Sequence, residues 1–250
     1  MKKIRVLTLV ALLGPAACSS NVTGAQEADL AILFIGNSLT YANDLPAMVA
    51  NMLDVSLPGG VFVESIAKPN YGLEDHWNDS STRDRIDGTG WDVVIMQQGP
   101  SATEGRPSLI DYSARFAELI RGSGAKPALF MVWPAEERSF DFGGVRDSYR
   151  AAADSVDGYF FPAGAAWQEA WKLDSSLALY GSDGFHPSQL GSYLAAVVIV
   201  QQLADLSAAE LDVNFDSRYV SSTIGRVLHR AANEANDAHG RDLDTSDLDG

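Results

Sequence analysis

Leu30-Ala31-Ile32-Leu33-Phe34-Ile35-Gly36-Asn37-Ser38-Leu39-Thr40-Tyr41 decides the reading of this chain. Six apolar residues in a row, Leu30–Ile35, suit a strand buried on both faces of a parallel sheet. The run stops at Gly36, and a small polar residue and then Ser38 follow. A serine lifted on a tight turn at the end of a buried strand has an exposed hydroxyl, with backbone N–H groups nearby to receive developing negative charge. Ser38 is therefore the candidate nucleophile.

Outward from this stretch the pattern alternates. Asp44 is placed to cap a helix and Pro46 suits its first turn. Leu45, Met48, Val49, Met52 and Leu53 fall on one stripe. Val61–Ile66 reads as a second strand, and Leu73–Ile86 as a polar, irregular or short-helical crossing. Trp91–Met96 is the third strand, and Ser108–Arg121 a helix burying Leu109, Tyr112, Phe116, Leu119 and Ile120. Pro127–Trp133 is the fourth strand, stopped by Pro134, and Val145–Val156 a helix. Tyr159–Pro162 is a short fifth strand, and Ala166–Leu173 a short helix. Pro187–Ala204 and Ser217–Asn236 are the last helices, with Leu190, Tyr193, Leu194, Val197 and Val198 as the buried set of the first. Strands alternating with helices predict an α/β fold, a parallel five-stranded sheet covered on both faces. In such a sheet ligands bind beyond the carboxyl ends of the strands, where Ser38, Gln97 and Gln98 fall.

The chain has 250 residues, 46% of them hydrophobic, which suits one domain with a sizeable core. Its formal charge of −15 argues against nucleic acid and against anionic membrane surfaces as partners. Lys2, Lys3 and Arg5 followed by the apolar run Val6–Leu13 form a targeting segment, too short to span a bilayer. Small residues before Cys18, the only cysteine, resemble a bacterial lipoprotein processing site. Residues 1–17 then read as a signal peptide, 18–28 as a tether, 29–237 as the catalytic domain and 238–250 as an acidic tail. The expected location is the cell envelope of a bacterium, with Cys18 lipidated and the chain held to the membrane by that anchor. The alternative is plain secretion with cleavage after Ala25. A single cysteine forms no intrachain disulfide and no cysteine-based metal site.

A serine needs a base within hydrogen-bond reach, and the base needs an orienting acceptor. Of His76, His186, His229 and His239, only His186 sits in a Gly-rich turn that opens a helix, Tyr180-Gly181-Ser182-Asp183-Gly184-Phe185-His186-Pro187-Ser188. Asp183, three residues earlier, is placed to accept from the ring Nδ1–H and leave Nε2 facing a hydroxyl. His76, beside Glu74 and Asp75, has no second histidine at ligand spacing, and it reads with Trp77 as packing or pocket rim. Trp133, Trp167 and Trp171 read as core rather than as a sugar platform.

These residues resemble the SGNH, or GDSL, hydrolases. Gly36-Asn37-Ser38-Leu39 is similar to the family's first block, with Asn37 where the name-giving pattern has Asp. Asp183-Gly184-Phe185-His186 is similar to its last. Asn70-Tyr71-Gly72-Leu73-Glu74-Asp75-His76-Trp77 resembles the second block, whose glycine donates a backbone N–H to the oxyanion hole, a role that passes to Gly72. The third block departs: where the family has Gly-x-Asn-Asp, this chain has Met96-Gln97-Gln98-Gly99-Pro100-Ser101. A glutamine amide carries the same donor on a longer arm. Gln97 is favoured because it continues the alternation of Val93 and Ile95, with Gln98 as the alternative. The resemblance covers about residues 30–205 and implies a three-layer α/β/α sandwich of flavodoxin-like topology. It implies a Ser38–His186–Asp183 triad that needs no metal or organic cofactor. The activity it implies is hydrolysis of short acyl esters, acetyl foremost, plausibly on carbohydrate. A lipase or thioesterase of the same fold, or a non-catalytic glycan-binding envelope lipoprotein, are the alternatives.

Overall fold

The computed structural model describes residues 24–25, 28–88, 90–207, 209–211 and 220–240. The signal segment, Cys18 and residues 241–250 of the acidic tail lie outside them. The opening apolar run forms β1, Leu30–Gly36, and every residue of it is buried. Among the described residues four more strands join it: β2, Val61–Ala67; β3, Val93–Met96; β4, Lys126–Phe130; and β5, Tyr159–Phe161. All pairings are parallel and the order is β2-β1-β3-β4-β5, with β1 and β3 side by side. Strands β1 and β2 are joined by a helical connection, residues 38–56, and β1 has partners on both sides. The chain reverses its direction of travel across the sheet at β1, so the crevice lies over the carboxyl ends of β1 and β3.

Helices cover both faces, giving the expected three layers. On one face lie α1, Ser38–Tyr41, and the long helices α2, Leu45–Ser56; α7, Ala163–Leu173; α8, Gln189–Leu203; and α9, Ser222–His239. On the other lie α3, Leu73–Asn78; α4, Ser80–Asp87; α5, Arg106–Gly122; and α6, Phe142–Ser155. Helix α8 is buried almost all round rather than on one stripe, because α2, α7 and α9 enclose it. The chain after residue 206 therefore completes the core: Leu228, Ala231, Ala232 and Ala235 of α9 are fully buried. Ala25, within the stretch read as a tether, is 3% exposed and belongs to the core cluster.

Several boundaries differ from the sequence reading for local reasons. Asp44 does not cap α2: it sits at φ 57° and its side chain makes no capping bond. The Leu73–Ile86 crossing is two helices broken at Asp79, whose carboxylate accepts the Ser81 N–H. Strand β3 starts at Val93 because Trp91 turns its ring onto Phe62 and donates Nε1–H to the Arg85 carbonyl. Strand β4 ends at Phe130. Beyond it, the Met131 carbonyl accepts the Gly164 N–H, while Met131–Trp133 stay fully buried. Tyr112 and Leu119 are only half-buried on α5. Helix α9 starts at Ser222, capped by Ser221, and residues 217–219 lie outside the described set.

The three tryptophans are braces. Trp133 and Trp167 stack at 3.8 Å between ring centres and both are fully buried. Trp171 and Trp167 pack against Tyr180. Helix α8 enters this cluster at Gly191, where a Cβ would lie 2.3 Å from the Leu179 carbonyl oxygen and 2.5 Å from Trp167 Cζ2. Helix propensity alone favours alanine there by about 1 kcal/mol. The clash is with backbone and a fully buried ring, and overpacking of this kind costs about 1–3 kcal/mol. Gly191→Ala should therefore lower the urea midpoint of unfolding. A midpoint at or above wild type would show that the loop and ring can yield.

Candidate active site

The turn after β1 presents Ser38. Gly36 must lack a Cβ: one built there would be 2.3 Å from Thr40 Oγ1 and 2.6 Å from Gln97 Oε1. Asn37 is extended, and its Oδ1 accepts the Leu39 N–H at 3.1 Å, capping the short helix that Ser38 opens. Its Nδ2 donates to the Tyr71 carbonyl at 2.9 Å, tying the turn to the loop before α3.

The partner turn arrives from far along the chain. Tyr180 and Pro187 form an antiparallel bridge, and the Gly181 N–H bonds the His186 carbonyl at 2.7 Å. Gly184 has φ 66°, a left-handed conformation that favours glycine, and its carbonyl accepts the Glu136 N–H. Trp133 Nε1–H donates to the Phe185 carbonyl at 3.0 Å, and Tyr180 O–H to the Pro134 carbonyl at 2.7 Å. The aromatic cluster thus grips both sides of the histidine turn.

The structure brings Ser38, His186 and Asp183 together. His186 Nδ1 lies 2.6 Å from Asp183 Oδ2, and Nε2 lies 2.9 Å from Ser38 Oγ. A carboxylate only accepts, so Nδ1 carries the proton and Nε2 accepts from the serine hydroxyl. Asp183 Oδ1 also accepts the N–H groups of Phe185 and His186. These bonds, the histidine's first, hold the Asp183 carboxyl down at about 2.

Asn43 was not singled out by sequence. It has φ 54° and its Nδ2 donates at 2.9 Å both to the Pro187 carbonyl and to Ser192 Oγ. It is a direct link between the serine segment and the histidine segment. An asparagine in the short turn before a helix gives no periodic signal, and only its left-handed backbone betrays it.

The two glutamines part company. Gln97, the favoured oxyanion donor, does not face the cavity: it is 1% exposed and both ends of its amide are used internally. Its Oε1 accepts the Asn37 N–H at 2.9 Å and the Thr40 hydroxyl at 2.8 Å, and its Nε2 donates to the Gln98 carbonyl. The alternation argument fails because β3 stops at Met96. Gln98 does line the cavity with Ser38 and Gly72. Its Nε2 donates to Ser101 Oγ at 2.8 Å and to the Gly105 carbonyl at 3.3 Å, and its Oε1 accepts the Leu73 N–H. Gly72 lies on the cavity wall, and its N–H donates to Asp75 Oδ2 at 2.9 Å.

His76 is fully buried rather than at a rim. Its Nε2–H donates to the Gly36 carbonyl at 2.8 Å, and burial lowers its pKa. His229 is likewise interior, 2.7 Å from the Tyr193 hydroxyl. The cavity beside Ser38 holds about 380 Å³, and Gly99, Gly105 and Phe185 separate it from an apolar pocket of about 300 Å³ between Pro100, Ala102, Pro134 and Ala135.

The parallel α/β/α sandwich, with a strand-end serine bonded to a histidine and that histidine to an aspartate, is similar in fold to solved structures described as SGNH hydrolases, lipases and esterases. A proposed SGNH hydrolase from Slackia heliotrinireducens superposes with a TM-score of 0.59 at 25% identity, covering 69% of this chain and 97% of its own. A lipase/acylhydrolase from Enterococcus faecalis gives 0.57 at 14% identity, over 70% of this chain and 96% of that one. A variant of Axe2, an acetyl-xylooligosaccharide esterase from Geobacillus, gives 0.51 at 17% identity, over 73% and 94%. No protein-family model and no curated protein sequence matches the chain. By fold the chain is similar to the SGNH-type hydrolases.

The Asp183 bonds carry a pH signature. A carboxyl held at about 2 in the folded state, below its ordinary value of 3.8, stabilises the fold above the ordinary value. That contribution is lost as pH falls through about 2. The melting temperature of wild type should exceed that of Asp183→Asn at pH 6, and the gap should close between about pH 4 and pH 2. A gap independent of pH would mean that the carboxylate charge does not brace this turn.

Proposed function

We propose that the chain is a serine esterase acting on short acyl esters, acetyl foremost, carried on carbohydrate. The observation that carries the reading is the unbroken line of hydrogen bonds Ser38 Oγ–His186 Nε2 and His186 Nδ1–Asp183 Oδ2. In the proposed reaction His186 takes the Ser38 hydroxyl proton as Oγ attacks the ester carbonyl. Asp183 stabilises the imidazolium that forms, and its depressed pKa keeps it ionised throughout. The tetrahedral oxyanion sits against the Ser38 N–H, at the start of the short helix, and the Gly72 N–H. Gly72 donates to Asp75 at rest, so substrate takes over that bond as the exposed Asp75 carboxylate turns away. His186 then protonates the leaving alcohol, and water attacks the acyl-enzyme by the same route.

The openness of the site supports a bulky polar alcohol: the side chains of His186 and Asp183 are 42% and 52% exposed. A group carried on a large glycan reaches such a serine without being engulfed. The adjoining apolar pocket supports the second reading, a lipase or thioesterase that lays a longer chain there.

Ser38→Ala should reduce hydrolysis of a chromogenic acetyl ester by more than about 10³-fold. Activity equal to wild type would remove Ser38 from the mechanism. A rate falling steadily from acetyl to octanoyl esters favours the carbohydrate deacetylase, and the reverse order favours the longer-chain reading. The proposed location is the bacterial envelope through a lipid on Cys18, which rests on the basic start, the short apolar run and the small residues before that cysteine. Labelled palmitate should enter wild type and not Cys18→Ser when expressed in a bacterium.

A further inference from the structure

We infer that Gln97 is a positioning residue that sets the angle of the nucleophile turn. The inference rests on the serine-hydrolase reading above. The peptide joining Gly36 to Asn37 is gripped at both ends. Its carbonyl accepts from the Lys68 N–H at 3.0 Å and from His76 Nε2 at 2.8 Å. Its N–H is taken by Gln97 Oε1 at 2.9 Å. The same oxygen accepts from Thr40 Oγ1 at 2.8 Å, on the far side of Ser38, so one atom spans the segment that carries the nucleophile. The next N–H along, that of Ser38, is oriented from this plane through Asn37, whose extended backbone is held by its own side-chain bond to the Leu39 N–H.

Three further facts make Gln97 a built part of the turn. It is 1% exposed, its Nε2 is spent on the Gln98 carbonyl, and Gly36 has surrendered its side chain to make room for the Gln97–Thr40 bond. Only an acceptor and a donor on one planar group fit here, because the turn offers two donors on one side and a carbonyl on the other. The Gln98 carbonyl also accepts from Tyr149 O–H, so the glutamine is anchored to a fully buried tyrosine of α6. Gln97 therefore acts on the reaction through the Ser38 backbone and touches no substrate atom.

The test compares wild type, Gln97→Leu, Gln97→Glu and Thr40→Val, using acetyl-ester kinetics and the rate of Ser38 labelling by a fluorophosphonate. Leucine keeps the volume and removes both functions. We expect its kcat to fall about 10²-fold with KM little changed, as a misplacement near 1 Å can cost that much. Thr40→Val keeps the Asn37 bond and should lose less. A protonated glutamic acid offers both a carbonyl acceptor and an O–H donor, so Gln97→Glu should rescue much of the rate at low pH. The ionisable residues tied to its hydrogen-bond partners are His76, whose pKa burial lowers, Tyr149, pushed up by burial, and Lys68, whose N–H shares the Gly36 carbonyl and whose ammonium pairs with Asp79. The Lys68 ammonium is committed to Asp79, so burial should keep a glutamic acid there protonated until pH rises. The activity of Gln97→Glu relative to wild type should fall as pH rises.

Gln97→Leu within threefold of wild type in both kcat and labelling rate would overturn the inference. Should Gln97→Leu fail to fold, Gln97→Glu decides: a ratio to wild type that stays flat across pH overturns it equally. A wild type that neither hydrolyses an ester nor labels would sink the esterase reading itself, and this inference with it.

Discussion

One peptide unit, between Gly36 and Asn37, is the constraint on which the rest of the site depends. Up to Gly36 the backbone of β1 is satisfied by its neighbours β2 and β3 in a fully buried ladder. At Gly36 the chain must leave that ladder without leaving polar groups unpaired in a dry core, where each orphan costs on the order of 1–3 kcal/mol. Side chains take over from the ladder: His76 on the carbonyl, Gln97 on the N–H and Asn37 on the helical turn that follows. Each is buried, and each comes from a different part of the sheet's carboxyl edge. The serine stands at the first place where the backbone is free to face solvent.

The histidine is delivered by a separate device of a different kind. Its turn lies 148 residues from the serine and has no strand to fix it. Aromatic packing does so instead, with the Trp133–Trp167 stack below, Tyr180 beside it, and indole and phenol groups bonded to loop carbonyls. Asn43 then joins the two halves directly. Rigid rings lose little conformational freedom on burial, which suits them to hold an exposed loop in one geometry.

The sheet was legible because β1 and β3 carry unbroken apolar runs, a pattern that only a strand covered on both faces needs. Ser38, Asp183 and His186 were legible because each lies within two residues of a glycine in a turn, and the structure brings all three into one line of hydrogen bonds. What escaped were features that depend on where a side chain turns after its element has ended. Gln97 and Gln98 are neighbours in sequence, and only the exit angle of β3 sends one into the interior and the other to the cavity. Asn43 carries its function in a left-handed backbone that no residue pattern records. The enclosure of α8 escaped for another reason: a stripe of Leu190, Tyr193, Leu194, Val197 and Val198 passes over the unbroken apolar run Tyr193–Val200, which needs cover on every side.

That enclosure has a consequence for the order in which the molecule can be completed. The apolar surface of α8 stays open until Ser222–His239 is in place, so the earlier residues can pair their strands but cannot seal the layer. Sealing that layer depends on a segment far in sequence from the Ser38 turn. A chain still being made would hold an unsealed face until that helix arrives. The terminal helix thus acts on timing as well as on stability, since it marks the moment at which the fold becomes final.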